Sequence, residues 1–284
     1  MKSIAFADGE TWPALGLGTW RLGESASRRA AEVAAVRTAI ELGYRVIDTA
    51  EMYGEGGAES VVGQAIADAL RAGDVSREQL FVVSKVYPHN ASRQGVVQAC
   101  ERSRQRLGLD ALDLYLLHWR GAHALVDTVA GFEALKAGGL VRRWGVSNFD
   151  AADLTELAAV PGGAGCATNQ VFYALSERGV EFELLPRQRR EKMPLMAYCP
   201  LGQGELARHP ALAQIGARLG ASAAQVALAW LLHQNGVMAI PKAARAEHLR
   251  DNLAAASLAL APDDLAALDR LFPPPTNRQT LAVV

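Results

Sequence analysis

The sequence predicts an α/β fold, one closed (β/α)8 TIM-type barrel with a short N-terminal β-hairpin and a short C-terminal tail. Three observations predict it. Eight short apolar strands alternate with helical segments at fairly regular intervals over 284 residues. The strands are continuous apolar runs, as expected of parallel strands covered on both faces. No linker or shift of composition marks a boundary, so residues 1–284 are expected to form a single domain. The alternative is a doubly wound open sheet, which usually carries a Gly-rich phosphate loop after an early strand. Gly16-Leu17-Gly18-Thr19-Trp20 is not GxGxxG, and there is no Walker-type loop or GxSxG motif.

The elements follow in order. Ile4 to Phe6 and Thr11 to Pro13 flank Asp8-Gly9, a tight-turn pair, and read as a hairpin. Leu15 to Leu17 is the first barrel strand. Glu32 to Leu42 is a helix with Val33, Val36 and Ile40 at helical spacing, stopped by Gly43. Val46 to Asp48 is the second strand, followed by a helix from Ala58 to Leu70. Leu80 to Lys85 is the third, rich in β-branched residues. Ser92 to Leu107 is a basic amphipathic helix whose Arg102, Arg104 and Arg106 form a solvated face. Leu112 to His118 is the fourth strand, with a helix from Val126 to Ala137. Val141 to Ser147 is the fifth, and Asp150 caps a helix to Ala159. Ala167 to Gln170 is the sixth strand, and Val180 to Leu185 opens a helix. Leu195 to Tyr198 is the seventh, followed by a helix from Ala221 to His233. Val237 to Ile240 is the eighth. Helices Ala246–Ala255 and Pro262–Leu271 come last, and Pro273-Pro274-Pro275 is an extended loop.

Half the residues are hydrophobic, ample for a large core, and the formal net charge is -1. That charge carries no footprint for nucleic acid or an anionic membrane. Arg greatly outnumbers Lys, which makes each lysine worth locating. Cys100, Cys166 and Cys199 are odd in number and far apart, so neither a disulfide framework nor a metal site is indicated. No unbroken apolar run reaches membrane-spanning length. A monomer in the cytoplasm is expected.

In a barrel the C-terminal ends of the strands converge on one mouth. Here they deliver Thr19 and Trp20, Asp48, Lys85, His118, Ser147 with Asn148, Asn169 with Gln170, Tyr198 and Lys242. Each has a plain structural explanation: a snorkelling lysine, a core histidine, turn-forming asparagines. Together those explanations require many coincidences. Asp48 and Lys85 end adjacent strands, so a buried ion pair is available, and such a pair stabilises little by itself. Tyr53 follows Asp48 by five positions. An ammonium ~4 Å from its phenol favours the phenolate by up to ~4 kcal/mol at a surface-like dielectric, and burial opposes it. If the cation wins, Tyr53 becomes a proton donor and acceptor near neutrality. His118 would orient a carbonyl oxygen. With no nucleophile–base pair and no metal cluster, proton donation to a carbonyl calls for a hydride from a diffusible cofactor.

The chain resembles the aldo-keto reductases from about Phe6 to Asp269. The matching stretches are Gly18-Thr19-Trp20, Asp48-Thr49-Ala50-Glu51-Met52-Tyr53-Gly54, Ser84-Lys85-Val86, Leu116-Leu117-His118-Trp119 and Gly145-Val146-Ser147-Asn148-Phe149. Thr168-Asn169-Gln170, Ala197 to Gly202 and Ile240-Pro241-Lys242 complete the set. Within the family it is most similar to the compact bacterial reductases of methylglyoxal and related small aldehydes. That narrower match rests on Trp12-Pro13 to Trp20, Lys85-Val86-Tyr87-Pro88 and Cys166 to Val171.

The resemblance implies NADPH bound extended at the C-terminal mouth and a small-molecule carbonyl substrate. Tyr53 would be the acid–base residue, Lys85 and Asp48 its tuning pair and His118 the orienting group. Thr19, Asp48, Ser147, Asn148 and Gln170 would contact the nicotinamide side, with Tyr198 stacked on its face. Cys199, Pro200 and Leu201 would pass along the pyrophosphate. Lys242 and His248 would meet the 2′-phosphate, with Asp251 and Asn252 near the adenine. Trp20, Met52, Tyr87, His118 and Trp119 would line the substrate pocket. The short tail after Phe272 would leave few distal contacts for a bulky substrate. The chain departs from the family pattern at Ala243, where a phosphate-binding Ser is common, at His248, where Arg is common, and at Cys199, which replaces a frequent Ser. A cofactor-loaded sensor or regulatory subunit with incidental turnover is the alternative from another class, and alcohol oxidation is the alternative direction.

Overall fold

A computed structural model describes residues 2–284. Strands β1 (Ser3–Ala5) and β2 (Thr11–Pro13) pair antiparallel, Ser3 opposite Pro13. The turn between them closes through Gly9 N–H donating to Phe6 O at 2.9 Å. Phe6 stacks on Phe81 at 5.4 Å and Trp12 meets the same ring at 5.1 Å. Arg143 pairs with Asp8 and Glu10. Phe81 begins a barrel strand, so the hairpin plugs the N-terminal end of the barrel.

The barrel strands are β3 (Leu17–Gly18), β4 (Val46–Asp48), β5 (Phe81–Val86), β6 (Leu112–Leu117), β7 (Val141–Ser147), β8 (Asn169–Phe172), β9 (Leu195–Tyr198) and β10 (Val237–Ala239). Each is parallel to the next. The ring closes between its first and last members. Leu15 bridges Ala239 and Gly18 bridges Lys242. Gly16 N–H donates to Ala239 O at 2.9 Å and Gly18 N–H to Pro241 O at 3.0 Å. Only a residue without a side chain fits this seam, since a Cβ on Gly18 would lie 2.7 Å from Ile240 O.

Helices α1 (Arg29–Glu41), α2 (Gly57–Ala72), α3 (Arg93–Leu107), α4 (Leu125–Ala137) and α5 (Ala151–Ala159) cover the first half. Helices α6 (Leu184–Arg190), α7 (Pro210–Leu219), α8 (Ala223–His233), α9 (Ala246–Ala255) and α10 (Pro262–Leu271) cover the second. Their ends follow local chemistry. Ser92 accepts from Gly95 N–H to start α3, which stops at Gly108 in the left-handed conformation. Reciprocal capping boxes pair Asp150 with Asp153 at α5 and Ser222 with Gln225 at α8.

Three expectations shift. The sixth strand lies at Asn169–Phe172 rather than Ala167–Gln170, because its register with β9 runs from Asn169↔Leu195 to Phe172↔Tyr198. The helix expected from Val180 divides into a 3-10 turn at Gly179–Glu181 and α6, which starts at Leu184 with Pro186 in its first turn, where no N–H is needed. Helix α7 was not expected; it is short, opens on Pro210 and buries Leu212 and Ile215. It follows the long β9 loop, which therefore has a helix to lean on.

The loop after β3 and the loop after β4 touch backbone to backbone. Gly23 has φ 74, and a Cβ there would lie 2.1 Å from the carbonyl carbon of Gly57. Gly23→Ala should therefore destabilise the fold by about 1–3 kcal/mol, from strain together with overpacking. Gly73→Ala, also at positive φ but with open space around it, should lose less. Thermal unfolding of both variants checks this, and equal Tm losses would count against the loop contact.

Candidate active site

Strands β4 and β5 are neighbours, with Asp48 opposite Val83. Lys85 lies two residues further along β5 on the same face, so its side chain reaches back to Asp48. Lys85 is fully buried and Asp48 nearly so. Lys85 Nζ donates to Asp48 Oδ2 at 2.7 Å, to Thr49 O at 2.8 Å and to Tyr53 Oη at 3.2 Å. An ammonium has three donors and no acceptor. All three are used, and the phenol oxygen is the third acceptor. The phenolic proton must then point away from Lys85. The other oxygen of Asp48 accepts from Gln170 Nε2 at 2.8 Å.

Tyr53 is delivered by a short 3-10 turn at Tyr53–Gly56, in which Gly54 and Glu55 take left-handed backbone angles. Tyr53 N–H donates to Ala50 O, and Thr19 donates to Asp48 O through both N–H and hydroxyl. The His118 ring meets Tyr53 edge-on at 5.7 Å and lies 4.9 Å from Trp119. His118 Nδ1 has no hydrogen-bond partner among the described residues.

Burial raises the Asp48 carboxyl, against the pull of Lys85. It lowers Lys85, and Asp48 opposes that. Burial, then the Asp48 carboxylate, hold the Tyr53 phenol well above its ordinary range. Of the two opposing effects, burial dominates in the free protein, and Tyr53 keeps its proton at neutral pH. Burial, then Lys85, hold His118 well below its usual value, so it is a neutral imidazole. A protonated phenol thus sits beside a neutral ring, over a buried cation, which suits donation of one proton to an oxygen between them.

These groups open onto a cleft of about 540 Å³, within the range of small-molecule sites. Of the residues named from the sequence, Thr19, Trp20, Asp48, Met52, Tyr53, His118, Trp119, Ser147, Asn148, Gln170, Tyr198, Cys199, Leu201, Lys242 and His248 line it. Lys85 lies behind Tyr53. Tyr87, Pro200, Asp251 and Asn252 do not line it. The Tyr87 ring backs Trp119 edge-on at 5.9 Å and faces a neighbouring polar cleft with His89. Pro200 is buried under its loop. Asp251 O accepts from Gln225, and Asn252 is buried beside Tyr44.

Asn148 ties three strand ends together. Its Nδ2 donates to His118 O at 3.1 Å and to Ser147 Oγ at 3.2 Å, and its Oδ1 accepts from Tyr198 Oη at 2.8 Å. Tyr198 stacks on Phe172 at 5.8 Å, which keeps its ring flat against the cleft wall. At the far end Lys242 makes no ion pair among the described residues, and burial lowers it. Arg245 Nη2 lies 2.5 Å from His248 Nε2. A guanidinium can only donate, so that ring nitrogen is the acceptor of the contact.

Sequence reasoning missed Arg21, Gln203, Ala207, Arg208 and Val284, which also line the cleft. A backbone signal unites two of them with two that were named: Arg21, Asn148, Cys199 and Gln203 all have positive φ without being glycine. Such residues cluster at functional sites.

The model of the aldo/keto reductase family matches residues 14–272. The chain belongs to the aldo/keto reductase family. Family relatives are close over the full length. The methylglyoxal reductase YeaE of Escherichia coli K12 is 49% identical over 288 residues, covering 100% of this chain and 99% of that one. An uncharacterized oxidoreductase of Bacillus subtilis, YtbE, is 34% identical over 264 residues, covering 93% and 90%. The crystal structure of an aldo-keto reductase from Klebsiella pneumoniae in complex with NADPH superposes with a TM-score of 0.94 at 47% identity, covering 100% of this chain and 99% of that one.

Replacing Lys85 by Met removes the ammonium and leaves Asp48 and Tyr53 with no cation between them. Loss of a cation disfavours the phenolate, so the basic limb of the pH–rate profile should move upward and carbonyl reduction should fall steeply. Initial rates across pH measure both; an active variant with an unmoved limb would rule out the tuning role of Lys85.

Proposed function

We propose that the protein reduces small aldehydes and α-dicarbonyls of the methylglyoxal kind to alcohols, using NADPH. The observation that carries this reading is the full use of Lys85's three donors, which leaves the Tyr53 proton directed away from the cation. Bound NADPH supplies a hydride to the carbonyl carbon. Tyr53 gives its proton to the carbonyl oxygen as that oxygen gains charge, so hydride and proton together convert C=O to CH–OH. Lys85, held in place by Asp48, stabilises the phenolate left behind. Neutral His118 offers one N–H to hold the oxygen in place. Trp20 and Trp119 keep water from the reacting bond.

The residues present fit NADPH. Ser147, Asn148 and Gln170 put amide and hydroxyl groups along one wall, which suits a carboxamide, and Tyr198 offers a ring face. Lys242 is a cation with no partner among the described residues, as a 2′-phosphate needs. The Klebsiella structures at 47% identity, bound to NADPH or NADP, support the cofactor. YeaE supports the substrate class. Cys100, Cys166 and Cys199 are free thiols, which suits a reducing compartment such as the cytoplasm, and we take the working form to be a monomer.

Steady-state kinetics with methylglyoxal, a nitrobenzaldehyde and a 3-ketosteroid, each with NADPH and NADH, test the reading. We expect the two small electrophiles to be reduced well and the steroid poorly, because the aromatic walls at Trp20 and Trp119 leave a slot suited to small carbonyls. NADPH should be preferred, less steeply than with a Ser and Arg at positions 243 and 248. A higher kcat/KM for the steroid would overturn the pocket argument. Equal values for the two cofactors would show that Lys242 does not read the 2′-phosphate.

A further inference from the structure

The outer face of β5 carries a second charge device. Side chains alternate along the strand, so Lys85 points into the barrel and Ser84 into the helical layer. Ser84 Oγ donates to Glu59 Oε1 at 2.5 Å, and Arg106 Nε donates to Glu59 Oε2 at 2.6 Å. Glu59 stands in the first turn of α2 and is fully buried. Helix α2 continues directly from the turn that delivers Tyr53. Arg106 comes from α3 and passes against that turn at Gly56, where a Cβ would lie 2.5 Å from its Nε. One carboxylate therefore braces the strand of Lys85, the turn of Tyr53 and a third element. A buried carboxylate gives up its hydration, and an apolar residue commonly serves packing as well. Its placement beside Lys85 calls for a further reason.

The surrounding charges define what Glu59 can do. Lys85 is faced by Asp48 and Tyr53 inside the barrel, with His118 nearby. Glu51, whose N–H donates to Lys85 O, is paired with Arg102. Glu59 is faced by Arg106, and by Cys100, Ser103 and Tyr115, which are neutral: burial pushes the Cys100 thiol up to about 12 and the Tyr115 phenol well above its range. Arg106 is a quarter exposed while Glu59 has no exposure, so water screens the guanidinium more than the carboxylate. A net negative field from Glu59 therefore reaches Lys85 through the barrel wall, in the same sense as that of Asp48.

We propose that Glu59 is a positioning residue for the reaction, which through Ser84 and across the strand holds Lys85 charged and aligned under Tyr53, with Arg106 moderating its field. The proposal rests on the reading of Tyr53 as the proton donor. It is tested on the full chain by pH profiles of kcat with methylglyoxal and NADPH for the wild type, Glu59→Gln and Arg106→Gln, with NADPH dissociation constants measured alongside. Removing a negative neighbour makes the Tyr53–Lys85 pair lose its proton more easily. Glu59→Gln should thus lower kcat and move the basic limb down by about one pH unit, with NADPH affinity unchanged. Arg106→Gln leaves the carboxylate less neutralised and should move the limb up. A purely structural brace would cost stability or kcat without moving the limb. An unmoved limb in whichever variant folds overturns the proposal, as does a shift of the same sign in both. Absence of turnover in the wild type would instead fail the reductase reading itself.

Discussion

A lysine ammonium buried beyond the reach of water sits at the centre of this molecule. Taking such an ion from water costs several kcal/mol even after the protein relaxes. Lys85 survives there because three acceptors meet its three N–H groups: a carboxylate, a backbone carbonyl and a phenol. Each comes from a different part of the chain. The carboxylate needs β4 beside β5 in one register. The carbonyl needs Thr49 to continue from β4 without a break. The phenol needs a turn that doubles back within four residues. Losing any one leaves a buried donor unmet, which is a larger penalty than the pair's net attraction.

Much of the surrounding architecture satisfies that requirement. The turn bearing Tyr53 uses left-handed angles at Gly54, Glu55 and Gly56, and it fits against the β3 loop because Gly23 and Gly57 have no side chains. Gln170 comes from the opposite side of the barrel to take the remaining oxygen of Asp48. Ring closure between β3 and β10 brings Lys242 to the same rim as Thr19 and Trp20. The result is a protonated phenol beside a buried ammonium. Under the proposed function that cation receives the charge the phenol leaves behind, which spares the solvent rearrangement that would otherwise accompany proton transfer.

Polar residues at the ends of apolar strands were legible because the contrast is strong: Asp48, Lys85 and His118 each interrupt a run of buried side chains. Barrel rhythm was legible for the same reason. What sequence patterns could not show was conformation within loops. Arg21 and Gln203 enter the cleft because they adopt positive φ, which neither residue type announces. Tyr87 follows β5 in sequence, but the short 3-10 turn at Pro88–Asn90 sets its ring behind Trp119 rather than in the cleft. Glu59 looks like an ordinary first-turn acid on an amphipathic helix; its burial depends on Arg106, 47 residues later. Helix α7 is only ten residues long, too short to be stable alone, and it packs on α8.

Tyr53→Phe tests the central claim most directly, because it removes one oxygen and its proton while leaving the ring. Single-turnover and steady-state rates with methylglyoxal, set beside the NADPH dissociation constant, separate chemistry from binding. If Tyr53 is the acid, kcat falls by roughly a hundred- to ten-thousandfold while NADPH affinity is retained. A variant that keeps near wild-type kcat would show that the proton reaches the substrate from another group.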